Sequence, residues 1–184
     1  ALPGIWGRRV YSIFFGGGTP SLLSAAAIDA ILAAVRARVT LDSAAEITLE
    51  ANPGTFETEK FRGFRDAGVN RLSIGIQSFS DTHLQGLGRI HNGDEARRAI
   101  AIAQDNFDNI NLDLMFALPQ QSLAECEHDV HTALSFGTSH LSLYHLTLEP
   151  NTLFHRFPPP LPDEDLAADM QDMIEAQLAS AGYA

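Results

Sequence analysis

The sequence predicts an α/β fold whose parallel sheet curves into part of a barrel, and three observations lead there. Five short runs rich in β-branched and aromatic residues alternate with helical patterns, and no hairpin signal joins any two of them. Such alternation calls for βαβ units with right-handed crossovers. The strands themselves alternate in polarity: Ile47 and Leu49 with Thr48 and Glu50, Leu72, Ile74 and Ile76 with Ser73, Gly75 and Gln77, and Leu112, Leu114 and Phe116 with Asn111, Asp113 and Met115. Strands covered on both faces normally read as near-continuous apolar runs. A doubly wound sheet and a (β/α) barrel both fit the alternation of elements, but a polar inner face suits a curved, partly open barrel around a polar ligand. The third observation is that the first run stops at Gly16-Gly17-Gly18, a shelf without side chains that a ligand can approach closely.

The first strand is Val10 to Phe15. Ser24 caps the first helix, where Ile28, Ile31, Leu32, Val35 and Val39 form one apolar stripe. Asp29 near its start and Arg36 and Arg38 near its end suit the helix dipole. Strand two, Glu46 to Ala51, stops at Asn52-Pro53-Gly54; Glu57, just beyond, reads as an exposed acid. A helix carrying Phe61 and Phe64 ends near Gly68, and strand three is Arg71 to Gln77. Ser80 caps a short helix with Leu84 and Leu87 inside, and Gly93 to Asn106 buries Ala96, Ile100, Ala103 and Phe107. Strand four is Asn109 to Ala117. Ser122 to Glu125 is a capping box, and its helix buries Leu123, Cys126, Val130 and Leu134 before Gly137. Strand five is His140 to Leu148. Asn151 to Pro162 is an extended proline-rich connection, and the last helix, after Asp163, faces inward with Leu166, Met170, Met173, Ile174 and Leu178.

The length of 184 residues suggests one domain. A net charge of −11 argues against nucleic acid as a partner, and no apolar run approaches the ~20 residues of a membrane span. Ala1 to Arg9 lacks the charged and apolar regions of a signal peptide. The single cysteine, Cys126, excludes a disulfide framework and a multi-cysteine metal site, and makes a cytoplasmic location the expectation. Cys126 lies in an apolar stripe and reads as an inert core residue.

The polar residues nearest the strand C-termini are Gly16 to Thr19, Glu50, Gln77, Asp113 and Thr147. Parallel sheets place their ligands at that edge. The set offers acids, an amide and free backbone groups, with no catalytic triad order and no HExxH. It reads as a cradle, with no residue singled out as catalytic or metal-binding. The glycine run is neither a dinucleotide fingerprint nor a P-loop, since Ser21 stands where a third glycine would be and no Lys follows. A tight turn remains the alternative for the glycines, and pairing with Arg71 or Arg89 the alternative for Glu50 and Asp113. His128 and His131, on a helix that also carries Glu127 and Asp129, read as a solvated face; His145 and His91 are candidates for the cavity.

The segments FFGGGTPSLLS (Phe14 to Ser24), EITLEANPGT (Glu46 to Thr55), GVNRLSIGIQSF (Gly68 to Phe79), LGRIHN (Leu87 to Asn92), NLDLMFALPQQS (Asn111 to Ser122) and LSLYHLTLEPNTLF (Leu141 to Phe154) carry a family resemblance. The chain resembles the radical S-adenosylmethionine proteins related to oxygen-independent coproporphyrinogen III oxidase, most of all the branch of bacterial heme chaperones. The resemblance implies a partial (β/α)6 barrel. It also implies a 4Fe–4S cluster held by a CxxxCxxC loop after the family's first strand, at which S-adenosylmethionine is cleaved to a radical. It assigns Gly17, Gly18, Thr19 and Glu50 to one S-adenosylmethionine, and Gln77, Arg89 and Asp113 to a second. No CxxxCxxC occurs, so residues 1–184 are expected to be strands two to six of the radical SAM core, with the first strand, the cluster ligands and a C-terminal domain outside them. The function implied is heme binding and delivery to hemoproteins. The alternative is decarboxylation of coproporphyrinogen III, and a third reading is an unrelated protein binding a nucleotide or sugar phosphate on the shelf. The exposed edge of the first visible strand predicts that this chain self-associates.

Overall fold

The computed structural model describes residues 2–5, 7–55 and 58–183; Glu57 lies outside them. After a short helix α1 (Leu2–Ile5) come β1 (Arg9–Phe15), a 3-10 turn (Pro20–Leu22), α2 (Ala25–Arg36) and β2 (Thr40–Ala51). A second 3-10 turn (Pro53–Thr55) leads to α3 (Thr58–Ala67), β3 (Arg71–Gln77), α4 (Asp81–Gly86), α5 (Gly93–Gln104) and β4 (Ile110–Phe116). The chain continues through α6 (Leu123–Ser135), β5 (His140–His145), α7 (Leu153–Arg156) and α8 (Glu164–Ser180). The sheet has five strands in the order β1-β2-β3-β4-β5, the sequential order that the βαβ pattern predicts. The pairings of β1 with β2 and β2 with β3 are parallel.

The chain divides into two compact units, Ala1–Gly75 with Arg98–Asn111, and Ile76–Arg97 with Leu112–Ala184. In the first, α2 lays Ile28 and Leu32 into a core with Leu49, Leu72, Ile74 and Ile100, all fully buried. Phe61 meets Phe64 and Phe107 edge to face, with centroids 5.6 and 6.5 Å apart, a favoured ring geometry. The polar positions of the strands are paired to one another here. Arg71 sits opposite Thr48 and reaches its hydroxyl and the Glu46 carboxylate, and Asn111 Nδ2 donates to Ser73 Oγ at 2.9 Å. In the second unit Phe116, Cys126, Val130, Met170 and Ile174 form the core where α6 packs on α8.

Several boundaries differ from the sequence reading. β2 starts six residues earlier than Glu46, because Thr40 and Leu41 pair with Arg9 and Val10 before the register shifts and resumes at Ser12 opposite Glu46. The irregular stretch of β2 between them is tied by Asp42, which accepts from the Ala44 amide at 2.9 Å and pairs with Arg9 at 3.0 Å. β5 stops at His145 and leaves Thr147 outside it and exposed, with its hydroxyl on Glu149, as the chain turns before Pro150 and Asn151 at φ +65°. The proline-rich connection contains α7, started by the Thr152 hydroxyl accepting from the His155 amide. Ile31 and Leu123 are exposed at 41% and 36%, so the buried stripes are narrower than predicted. The box at Ser122 and Glu125 forms as read, and Ser24 and Asp163 cap their helices. Among the described residues no helix is long and apolar enough to cross a membrane.

Candidate functional site

The candidate residues fall into two sets, one in each unit. The first set is the glycine shelf after β1 with Glu50 from the end of β2. Gly17 and Gly18 take φ of +80° and +57° and face open space where a side chain would stand. A Cβ on Gly16 would lie 2.7 Å from the Phe14 ring and 3.3 Å from Glu50 Oε2, so this position has no room for one. The Gly17 amide donates to Glu50 Oε2 at 3.1 Å, which fixes the half-buried carboxylate against the shelf. Thr19 accepts from Asn52 Nδ2 at 3.4 Å, and Pro20 opens the 3-10 turn that ends the loop. Arg71 turns to Glu46 and Thr48, so the alternative pairing of Glu50 with Arg71 is not the one formed.

The second set comprises Gln77, Arg89 and Asp113. Gln77 ends β3, is buried, and has a φ of +69°. Arg89 follows α4, whose last turn closes with the Gly88 amide on the Gln85 carbonyl and the Arg89 amide on the Leu84 carbonyl, both at 2.9 Å. That pair of bonds is a Schellman cap, for which Gly88 supplies the left-handed residue. Burial lowers the Arg89 pKa from its ordinary value. Asp113 is half-buried on β4.

The histidines sort differently from the sequence reading in one respect. His128 and His131 are exposed, as expected, and so is His145, which stacks on Phe116 at 5.3 Å. His91 is buried and its Nε2 lies 3.1 Å from the Ile76 carbonyl. Burial, the nearby Arg89 charge adding to it, pushes its pKa below the usual value. Asp129, read as part of a solvated face, is instead buried and accepts from Ser78 and Phe79. Its spacing shows why: it falls three residues after Cys126 and one before Val130, within the inward stripe. His83 is also buried, with neither ring nitrogen hydrogen-bonded and Nε2 3.7 Å from Glu125.

Residues 4–133 match the Radical SAM superfamily. The chain belongs to that superfamily. Over 178 residues this radical SAM chain is 52% identical to a protein named heme chaperone HemW from Escherichia coli, covering 96% of the chain and 47% of that relative. It is 48% identical to the Haemophilus influenzae protein of the same name, covering 96% of the chain and 46% of the relative. Its fold is similar to that of Escherichia coli coproporphyrinogen III oxidase (HemN), a radical SAM enzyme, with a TM-score of 0.87 at 25% identity over 100% of this chain and 43% of that one. The chain thus spans about half the length of the proteins it matches, and its fold is α/β of the partial (β/α)6 radical SAM type.

The superfamily implies S-adenosylmethionine and a 4Fe–4S cluster as cofactors. The residues present do not fit the cluster. Cys126 is the one cysteine in the sequence, it is buried, and burial pushes its thiol up to about 12. A thiolate is the form that ligates iron. The shelf does fit the amino-acid end of S-adenosylmethionine, because backbone with open space on its side-chain face, beside a carboxylate that the Gly17 amide holds in place, complements an ammonium.

Proposed function

We propose that the protein to which these residues belong is a heme chaperone built on a radical SAM core, binding heme and passing it to recipient hemoproteins. The observation that carries this reading is the 52% identity to a protein named for that activity, sustained over 96% of the chain. The likeness to HemN favours the second reading, oxidative decarboxylation of coproporphyrinogen III, but at 25% identity. We further propose that Gly17, Gly18, Thr19 and Glu50 hold one S-adenosylmethionine. Gln77, Arg89 and Asp113 serve a second. The cluster thiolates are supplied from outside these 184 residues. Bound S-adenosylmethionine supplies the radical chemistry of the family. In this reading Glu50 meets the positive groups of the cofactor, the shelf backbone serves its amino-acid end, and Arg89 gives a planar, bidentate partner for a carboxylate. The compartment that one unpaired, buried cysteine suits is the cytoplasm.

The deciding experiment is anaerobic reconstitution of the full-length protein with iron and sulfide, followed by titration with heme and, separately, assay with coproporphyrinogen III. A chaperone gives a stoichiometric heme spectrum and no vinyl product; vinyl product sinks the chaperone reading. For the 184-residue chain alone, β1 lies at the end of the sheet order and exposes Tyr11 at 68% and Phe14 at 59%. Light scattering should therefore show self-association, and a clean monomer at high concentration would contradict it.

A further inference from the structure

The exit of β3 holds Gln77 in a conformation that its own side chain disfavours. With φ at +69°, Gln77 is the centre of a three-residue turn in which the Ser78 amide donates to the Ile76 carbonyl at 2.9 Å. Side chains distant in sequence hold both flanks. On the near side, His91 Nε2 lies 3.1 Å from the Ile76 carbonyl. A carbonyl only accepts, so Nε2 carries the proton. On the far side, Asp129 on α6 takes the Ser78 hydroxyl at 2.6 Å with Oδ2 and the Phe79 amide at 2.9 Å with Oδ1. Ser78 Oγ in turn accepts from the Ser80 amide at 3.0 Å. Ser78, Phe79, His91 and Asp129 are all buried. A Cβ on Gly93 would stand 2.3 Å from the Phe79 carbonyl oxygen, so the start of α5 lies tight against the backbone just after the turn. A carboxylate in such surroundings is costly unless its oxygens are satisfied, and here they are satisfied by the turn itself.

We infer that Asp129 and His91 are positioning residues: together they impose the left-handed conformation of Gln77 and so fix the direction in which its amide leaves the strand. The His91 bond also ties the segment carrying Arg89 to the strand end carrying Gln77. Left-handed backbone at a non-glycine residue persists only where surrounding structure over-determines it, and such residues cluster where ligands are held. The inference rests on the reading of Gln77 as a contact for S-adenosylmethionine.

The test uses the full-length protein, with two readouts: the backbone φ of Gln77 in variant crystal structures, and the affinity for S-adenosylmethionine by calorimetry. Asp129→Ala should move Gln77 out of the left-handed region and weaken binding about tenfold, the size of one lost charge-assisted hydrogen bond. Gln77→Ala should weaken it similarly, and the double variant should be no weaker than Gln77→Ala alone, since Asp129 acts through Gln77. Val130→Ala, a neighbour on α6, should lower stability and leave affinity unchanged. If Asp129→Ala does not fold, Ser78→Ala removes one of the two bonds and should show the same effects at several-fold. A φ that stays near its present value, losses that add in the double variant, or an equal loss in Val130→Ala would each overturn the assignment. Wild-type affinity in Gln77→Ala together with a relaxed φ in Asp129→Ala would instead remove Gln77 from the cofactor site while leaving its support established.

Discussion

After β1 the chain turns through Gly17 and Gly18, at φ +80° and +57°; after β3 it turns through Gln77, at +69°. The two exits reach the same region of backbone space by different means. At the first, the absence of a Cβ makes the conformation free, and the glycines are exposed with the Glu50 side chain bonded to Gly17. At the second, a residue with a full side chain is driven there, and Ser78, His91, Asp129 and Gly93 stand around it. A turn made by glycine depends on its own residues alone. A turn made by a clamp depends on elements up to 51 residues away.

The largest effect should come from breaking the clamp. Asp129→Ala leaves the Ser78 hydroxyl and the Phe79 amide buried without acceptors, at ~1–3 kcal/mol each, so urea denaturation should show a loss of about 3 kcal/mol. Next comes Gly93→Ala, where the new methyl meets backbone rather than a movable side chain, for about 2 kcal/mol. A loss under about 0.5 kcal/mol would show that the α5 approach is soft and the exit less constrained than argued. At the shelf, Gly17→Ala has open space and only the left-handed penalty, about 1 kcal/mol, and should leave the β3 exit untouched in hydrogen exchange.

Strain and hydrogen bonding separate when the second exit is converted into the first. Gln77→Gly removes the strain that Asp129→Ala would otherwise release, so Asp129→Ala should cost roughly 1 kcal/mol more in that background than in the wild type. Equal costs would mean that the clamp carries no strain. The smallest effect is on pH dependence. Burial raises the Asp129 pKa above 3.8, against the bonds from Ser78 and Phe79 and the charges of His83 and His128. A raised native pKa means that the folded state holds the proton more tightly. The proton-linked part of this group's contribution is therefore fully present below pH 3.8 and is lost as pH rises through the native value, while its bonds from Ser78 and Phe79 remain. Wild type should lose stability relative to Asp129→Asn across that window, and parallel curves would refute it.

Much of this was open to reading from local chemistry. The strand bounds Arg71 to Gln77, the box at Ser122 and Glu125, and the caps Ser24 and Asp163 appear as expected, because each rests on residues within a few positions of one another. The glycine shelf was legible for the same reason: three residues without side chains can be recognised where they stand. The early part of β2 was not, since residues 40 and 41 join the sheet only through pairing with β1. Nor was Asp129, whose charge suggested solvent while its helical position pointed inward. By itself the sequence determined the order of strands and helices, the shelf, and Glu50 and Gln77 as polar residues at strand ends, whereas Asp113 stands in the middle of β4 and Arg89 was reached only through the family resemblance. Only the tertiary structure decided that Glu50 bonds to Gly17, that Arg71 turns to Glu46, and that Gln77 is held by Asp129. The physical reason is range: capping, periodicity and glycine conformations act over a few residues. A buried carboxylate acquires its meaning only when the fold brings it donors from another element.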